Sequence, residues 1–250
     1  MKKLWAMCLL GLSLSASAET IQVATGANFS EAMKQIASEF EKTTGHKVNL
    51  VFGTVTKIHA QIQNGATHDV LVSSDDTVPT KLVTEGYGIA ESQKPYAIGK
   101  LVLWSKDATL VKNAESLKSP AIRNLANANP KMAVYGARGD EVMQKLGVYD
   151  ALKDKIRVGE NITQAHMFAA SGAAEMGFVA WSQVVADDGK SLKEGSVWMI
   201  PQDLYKPIRQ DVVILKRAEG NEAAKAFTDY LLNSDYAKKV IVRYGYELPQ

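Results

Sequence analysis

The residues best suited to do chemistry recur in one arrangement. A short apolar run ends, a turn of small, hydroxyl or amide residues follows, and an amphipathic segment begins. The arrangement stands at Thr25–Asn28, Gly53–Thr56, Tyr135–Gly136 and Asn161–Thr163. The first N–H groups of a helix have no partner inside it and lie at the positive end of its dipole, so such a turn can hold part of an anion. Ser, Thr and Asn at a helix start are also ordinary caps, and capping accounts for any one of these turns alone. Their repetition points to a ligand. Several aimed at one space would form an uncharged cage of donors.

Enzymatic chemistry has less support. His46, His59, His68 and His166 are scattered, with no His-x-x-x-His pair, so no zinc site is indicated. No G-x-S-x-G, P-loop or G-x-G-x-x-G occurs. Asp75-Asp76 could hold a cation, but adjacent acids after a strand more commonly cap a helix and meet solvent. Trp104, Trp181 and Trp198 are expected in cores or between packed units. No enzyme and no cofactor are expected.

The elements that would position these turns alternate between two hydrophobic periods. Strands are expected at Ile21–Ala24, Val48–Phe52 and Val70–Val72, each followed by a helix. The first helix carries Phe29, Met33, Ile36, Ala37 and Phe40 on one face, with Ser30 as N-cap and Gly45 as stop. The second is expected from Lys57 to about Asn64. Three strand–turn–helix units in series imply a parallel sheet with right-handed crossovers. The pattern restarts at Leu101–Trp104. Further strands are expected at Met132–Val134, Gly177–Ala180, Val197–Ile200 and Asp211–Leu215. Helices are expected from Asp140 to Lys145, from Ile162 to Ala170 and from Glu222 to Arg243.

Two such series fit an α/β protein of two lobes, each a mainly parallel sheet flanked by helices, with the ligand cleft between them. Residues 19–99 and 209–250 would form the first lobe and 100–208 the second. The two crossings, near 99–101 and 208–210, would act as the hinge.

Composition is compatible with this. The chain has 250 residues, 22% charged and 46% apolar, ordinary for a soluble globular protein. It holds 29 basic and 27 acidic residues. Residues 1–18 form an export leader: Lys2 and Lys3, an apolar run from Leu4 to Leu14, and Ala16-Ser17-Ala18 before Glu19. The run is shorter than the roughly 20 residues a spanning helix needs. Without the leader, basic and acidic residues balance, which removes the simplest argument for nucleic-acid or membrane-surface binding. The single cysteine, Cys8, lies in the leader, so the exported chain has no thiol chemistry and no disulfide.

Several segments together carry a family resemblance: IQVATGANFSEAM from Ile21, FGTVTKIHAQI from Phe52, HDVLVSSD from His68, VMQKLGVY from Val142, VGENITQAHMFAASGAAEMGFVAWSQV from Val158, YKPIRQDVVILK from Tyr205 and the Arg243-Tyr244-Gly245 ending. The chain resembles periplasmic molybdate-binding proteins, the solute-binding components of molybdate ABC importers. The resemblance implies two lobes closing over a tetrahedral oxyanion, molybdate or tungstate, held by hydroxyls and N–H groups without a countercharge. It implies that the only metal is that of the oxyanion, that the partner is an importer permease, and that the protein is a periplasmic monomer.

Carried onto this sequence, the site comprises Ala27, Asn28, Thr54, Val55, Tyr135 and Ile162. The family has serine where Asn28 stands and again at Thr54-Val55, and Val55 carries no side-chain donor. The family also has a longer loop before Tyr-Gly, with an Asn-Pro start and an Ala-Pro; here Val134 runs directly into Tyr135-Gly136, so several residues of that wall are expected to be missing. Some relatives also use a tyrosine near the position of Ala180, which this chain lacks. Lys57 and Arg138 stand beside two of the turns. They are either solvated surface charge or part of a cleft altered for another oxyanion or a small organic anion. A ligand-sensing partner of a membrane receptor is the alternative from a different functional class.

Overall fold

The structure is a computed structural model and describes residues 18–249. The expected leader, with Cys8, lies outside them except for Ala18. In chain order the elements are β1 (Thr20–Gly26), α1 (Ser30–Thr44), β2 (Lys47–Gly53), α2 (Val55–Gln63), β3 (Val70–Val72), α3 (Thr77–Thr84), β4 (Lys94–Gly99) and β5 (Leu101–Ser105). There follow β6 (Leu125–Ala128), α4 (Val134–Lys145), α5 (Tyr149–Leu152), β7 (Ile156–Gly159), α6 (Ile162–Ala170), β8 (Met176–Ala180) and β9 (Ser196–Met199). The chain finishes with β10 (Ile208–Ile214), α7 (Glu222–Asn233) and α8 (Asp235–Arg243).

The strands form two five-stranded mixed sheets with the same pattern, β2-β1-β3-β10-β4 and β7-β6-β8-β5-β9. In the first, β1 runs parallel to β2 and β3, and β10 is antiparallel to β3 and β4. In the second, β6 runs parallel to β7 and β8, and β5 is antiparallel to β8 and β9. Each sheet therefore has one reversed strand, and that strand carries the chain between sheets. β4 passes to β5 through Lys100 alone, and the chain returns between Met199 and Ile208. The two-lobed α/β fold is as expected. The parallel strands end along one edge of each sheet, and there the turns open.

The cores follow from sequence pattern. Ala32, Met33, Ile36, Ala37 and Phe40 are buried on one face of α1. Phe40 meets Phe227 of α7 edge-on, ring centres 5.2 Å apart. Gly45 ends α1 in the left-handed region (φ 79°), where a side chain would be strained. Val55, Ile58 and Ile62 of α2 cover the other face of the first sheet with Leu71, Leu82 and Val213. The second sheet has its own core, including Leu103, Trp104, Val142, Met143, Met176 and Phe178.

Four expectations are corrected. The strand expected at Met132–Val134 is β6, seven residues earlier, and α4 begins at Val134 rather than Asp140. Small residues explain this: a β carbon on Gly136 would stand 2.1 Å from the Ala128 carbonyl, and one on Gly139 2.7 Å from Asn127 Oδ1. Glycines at helical spacing let α4 lie directly on a strand of Ala and Asn, which has little apolar signal of its own. Ser30 is inside α1, and its hydroxyl donates to the Ala27 carbonyl (3.1 Å) instead of capping the helix. The last helix is two helices, because Ser234 breaks it and its hydroxyl accepts from Ala237 N–H (3.0 Å) to cap α8. β4 was not anticipated.

Candidate functional site

The turns after β1, β2 and β3 and those before α4 and α6 meet between the lobes. They close around a small space lined by Ala27, Asn28, Gly53, Thr54, Val55, Ser74, Ala133, Val134, Tyr135, Asn161 and Ile162. All six residues carried over by resemblance are among them, and none of the lining residues is charged. Three helices start at this wall: α2 after Thr54, α4 after Ala133 and α6 after Asn161. Neither Thr54 nor Ala133 caps its helix with a side chain. The first N–H groups of α2 and α4 are thus left for whatever occupies the cavity. Asn161 Oδ1 accepts from Gln164 N–H (3.0 Å), an ordinary cap that leaves the Ile162 N–H uncapped by that side chain.

Side chains complete the wall. Thr54 Oγ1 is buried without a partner, and a buried hydroxyl is costly to leave unpaired. Tyr135 is buried, and its hydroxyl accepts from Gln210 Nε2 (3.1 Å). Burial, with Tyr246 and Tyr205 nearby, holds the Tyr135 phenol well above its usual range, against the pull of Gln210 and Asn28. It therefore keeps its proton and can donate. Asn28 Nδ2 donates to Tyr246 (3.0 Å) and Gln210 (3.2 Å), while its Oδ1 is buried and unpartnered. The Asn28 amide protons are thus engaged within the protein.

Neither Lys57 nor Arg138 lines the cavity. Lys57 pairs with Glu160 across the mouth of the cleft (2.8 Å), both side chains half exposed. Arg138 pairs with Glu141 one turn along α4 (2.7 Å). The expected shortened wall is also corrected: Asn129-Pro130 opens a five-residue loop between β6 and α4, so the family's Asn-Pro start is present and only the Ala-Pro becomes Ala133-Val134. Further contacts join the lobes around the cavity. Thr56 Oγ1 donates to the Met132 carbonyl (2.7 Å) and Ser182 Oγ to the Asn28 carbonyl (3.2 Å).

Sequence reading missed Ser74, Gln210, Tyr246 and Ser182. Ser74 follows β3 in the same strand-then-turn arrangement and was legible there. The other three carry no local pattern, and only the fold brings them to the cleft.

Two lobes, reversed strands at both crossings and a donor-lined cavity between the lobes define a solute-binding protein. The chain belongs to the bacterial extracellular solute-binding protein family, whose profile it matches over residues 21–247. It is 50% identical over 238 residues to the molybdate-binding protein ModA of Azotobacter vinelandii, covering 95% of this chain and 93% of that one. It is 45% identical to ModA of Rhodobacter capsulatus, covering 95% and 92%. Its fold matches the solved structure of the Azotobacter vinelandii periplasmic molybdate-binding protein with a TM-score of 0.87 and 38% identity, over 92% of this chain and all of that one.

Proposed function

We propose that the protein captures a tetrahedral oxyanion, molybdate or tungstate, in the periplasm and delivers it to the permease of an ABC importer. The observation that carries this reading is the uncharged cavity walled by donor-bearing turns from both lobes. A dianion leaving water must exchange its hydration for fixed donors, and uncapped N–H groups, the Thr54 hydroxyl and the protonated Tyr135 supply them from several directions. A planar carboxylate ligand would favour an arginine fork, and Arg138 is engaged elsewhere. The relatives named as molybdate-binding proteins support the same ligand. The protein acts without a cofactor, as a monomer and not as an enzyme. It is exported with cleavage after Ala18.

A thermal-shift panel of oxyanions and small carboxylates tests this. A ligand at 100 times its Kd adds about 2.7 kcal/mol of stability. Molybdate and tungstate should raise the melting temperature. A shift with carboxylates alone would overturn the reading.

A further inference from the structure

Gln210 lies on β10, the strand that returns the chain to the first lobe, and is fully buried. It does not line the cavity, yet it bonds three side chains from different elements. Its Oε1 accepts from Tyr96 of β4 (2.8 Å) and from Asn28 Nδ2 (3.2 Å). Its Nε2 donates to Tyr135 of α4, in the other lobe (3.1 Å). Beside it, a β carbon on Gly99 would stand 2.2 Å from the Tyr135 hydroxyl and 2.6 Å from Gln210 Nε2. The bond between lobes thus passes where only glycine leaves room.

The direction of that bond matters more than its presence. Because Tyr135 accepts from Gln210, the phenol proton has no acceptor among the described residues. It stays uncommitted within the protein, on a residue that lines the cavity. Turned over, the amide would offer Oε1 to Tyr135 and take that proton itself. The neighbours forbid this. The Tyr246 hydroxyl donates to the Asn28 carbonyl (2.8 Å), so it accepts from Asn28 Nδ2. Asn28 then faces Gln210 as a donor, whereas Tyr96 has one proton for two acceptors, Gln210 Oε1 (2.8 Å) and the Ser73 carbonyl (3.0 Å). A turned amide would set its NH₂ against the Asn28 amide protons.

We propose that Gln210 is a positioning residue for oxyanion capture: held in one orientation by Asn28, its amide directs the Tyr135 hydroxyl proton to the ligand. The inference rests on the oxyanion reading above.

A double-mutant cycle with Tyr135→Phe tests it, read by calorimetric titration of molybdate and tungstate at pH 8. Gln210→Glu replaces the donor with an acceptor that takes the phenol proton. It should weaken binding by a large factor in the wild-type background and by a clearly smaller one in Tyr135→Phe, where only its added charge still acts. Gln210→Met, which adds no charge, should weaken binding in the wild type and leave Tyr135→Phe unchanged. It serves also if the Glu variant does not fold. Equal factors in both backgrounds would mean that Gln210 acts only through charge or packing, and would overturn the proposal. Wild-type protein that gives no heat with either oxyanion would instead overturn the proposed function, and this inference with it.

Discussion

The Thr54 hydroxyl is buried without a partner beside the uncapped start of α2. Thr54→Val keeps the shape and removes the hydroxyl. A hydrogen bond to a charged group contributes roughly 1.5–3 kcal/mol, so oxyanion affinity should fall about tenfold to a hundredfold. The melting temperature without ligand should rise, because an unpaired buried polar group is gone. Calorimetry and a melt read the two opposite signs, and unchanged affinity would place the anion away from Thr54. Asp75, next to Ser74, makes a second prediction. Burial pushes its carboxyl up, against bonds from Val78 N–H and the Ser73 hydroxyl. A raised folded pKa means that folding disfavours the charged form, a penalty present at neutral pH and lost as pH falls below the unfolded value. Asp75→Asn should therefore raise the melting temperature at pH 7, and the gain should vanish towards pH 4. A gain that persists in acid would contradict this. Much of the cavity was legible at this scale. Ala27, Asn28, Thr54, Val55, Tyr135 and Ile162 all lie where a helix follows a parallel strand, and parallel sheets bring such places to one edge. Lys57 and Arg138 were misleading because adjacency in sequence does not say which way a helical side chain points. Both meet a glutamate instead.

Elements hold these residues through close approach of backbone. Gly136 and Gly139 lay α4 on β6 and so fix Tyr135. Gly99 admits the Tyr135 hydroxyl at the end of β4. Gly99→Ala would force these groups apart, and overpacking of this kind costs about 1–3 kcal/mol. We expect a lower melting temperature and weaker oxyanion binding. A variant with wild-type affinity would mean that the Tyr135–Gln210 approach is unimportant for capture. The same close packing explains what the sequence hid. A strand made of Leu125-Ala126-Asn127-Ala128 lacks the β-branched signature, whereas Met132-Ala133-Val134 carries an apolar run without being a strand. The break at Ser234 was masked because the apolar positions of α7 and α8 continue at nearly helical spacing.

At the scale of the molecule, the two-lobed architecture was legible because strand–turn–helix units restart at Leu101 and each series needs its own sheet. The reversed strands β5 and β10 follow from the two crossings. Contacts such as Lys57–Glu160, Thr56–Met132 and Ser182–Asn28 tie the lobes on both sides of the cavity. We expect residues near 99–101 and 208–210 to flex, so that these contacts form as ligand binds. Small-angle scattering should give a smaller radius of gyration with saturating molybdate than without, and an unchanged radius would argue against a hinge.

An uncharged, donor-lined cavity should select a tetrahedral dianion. Calorimetric titration of residues 19–250 with molybdate, tungstate, sulfate, phosphate and small carboxylates decides this. Molybdate and tungstate should bind one to one, more tightly than every other anion and with little dependence on salt, since no charged side chain lines the site. Absence of binding by both, or a preference for a carboxylate that weakens steeply with salt, would contradict it.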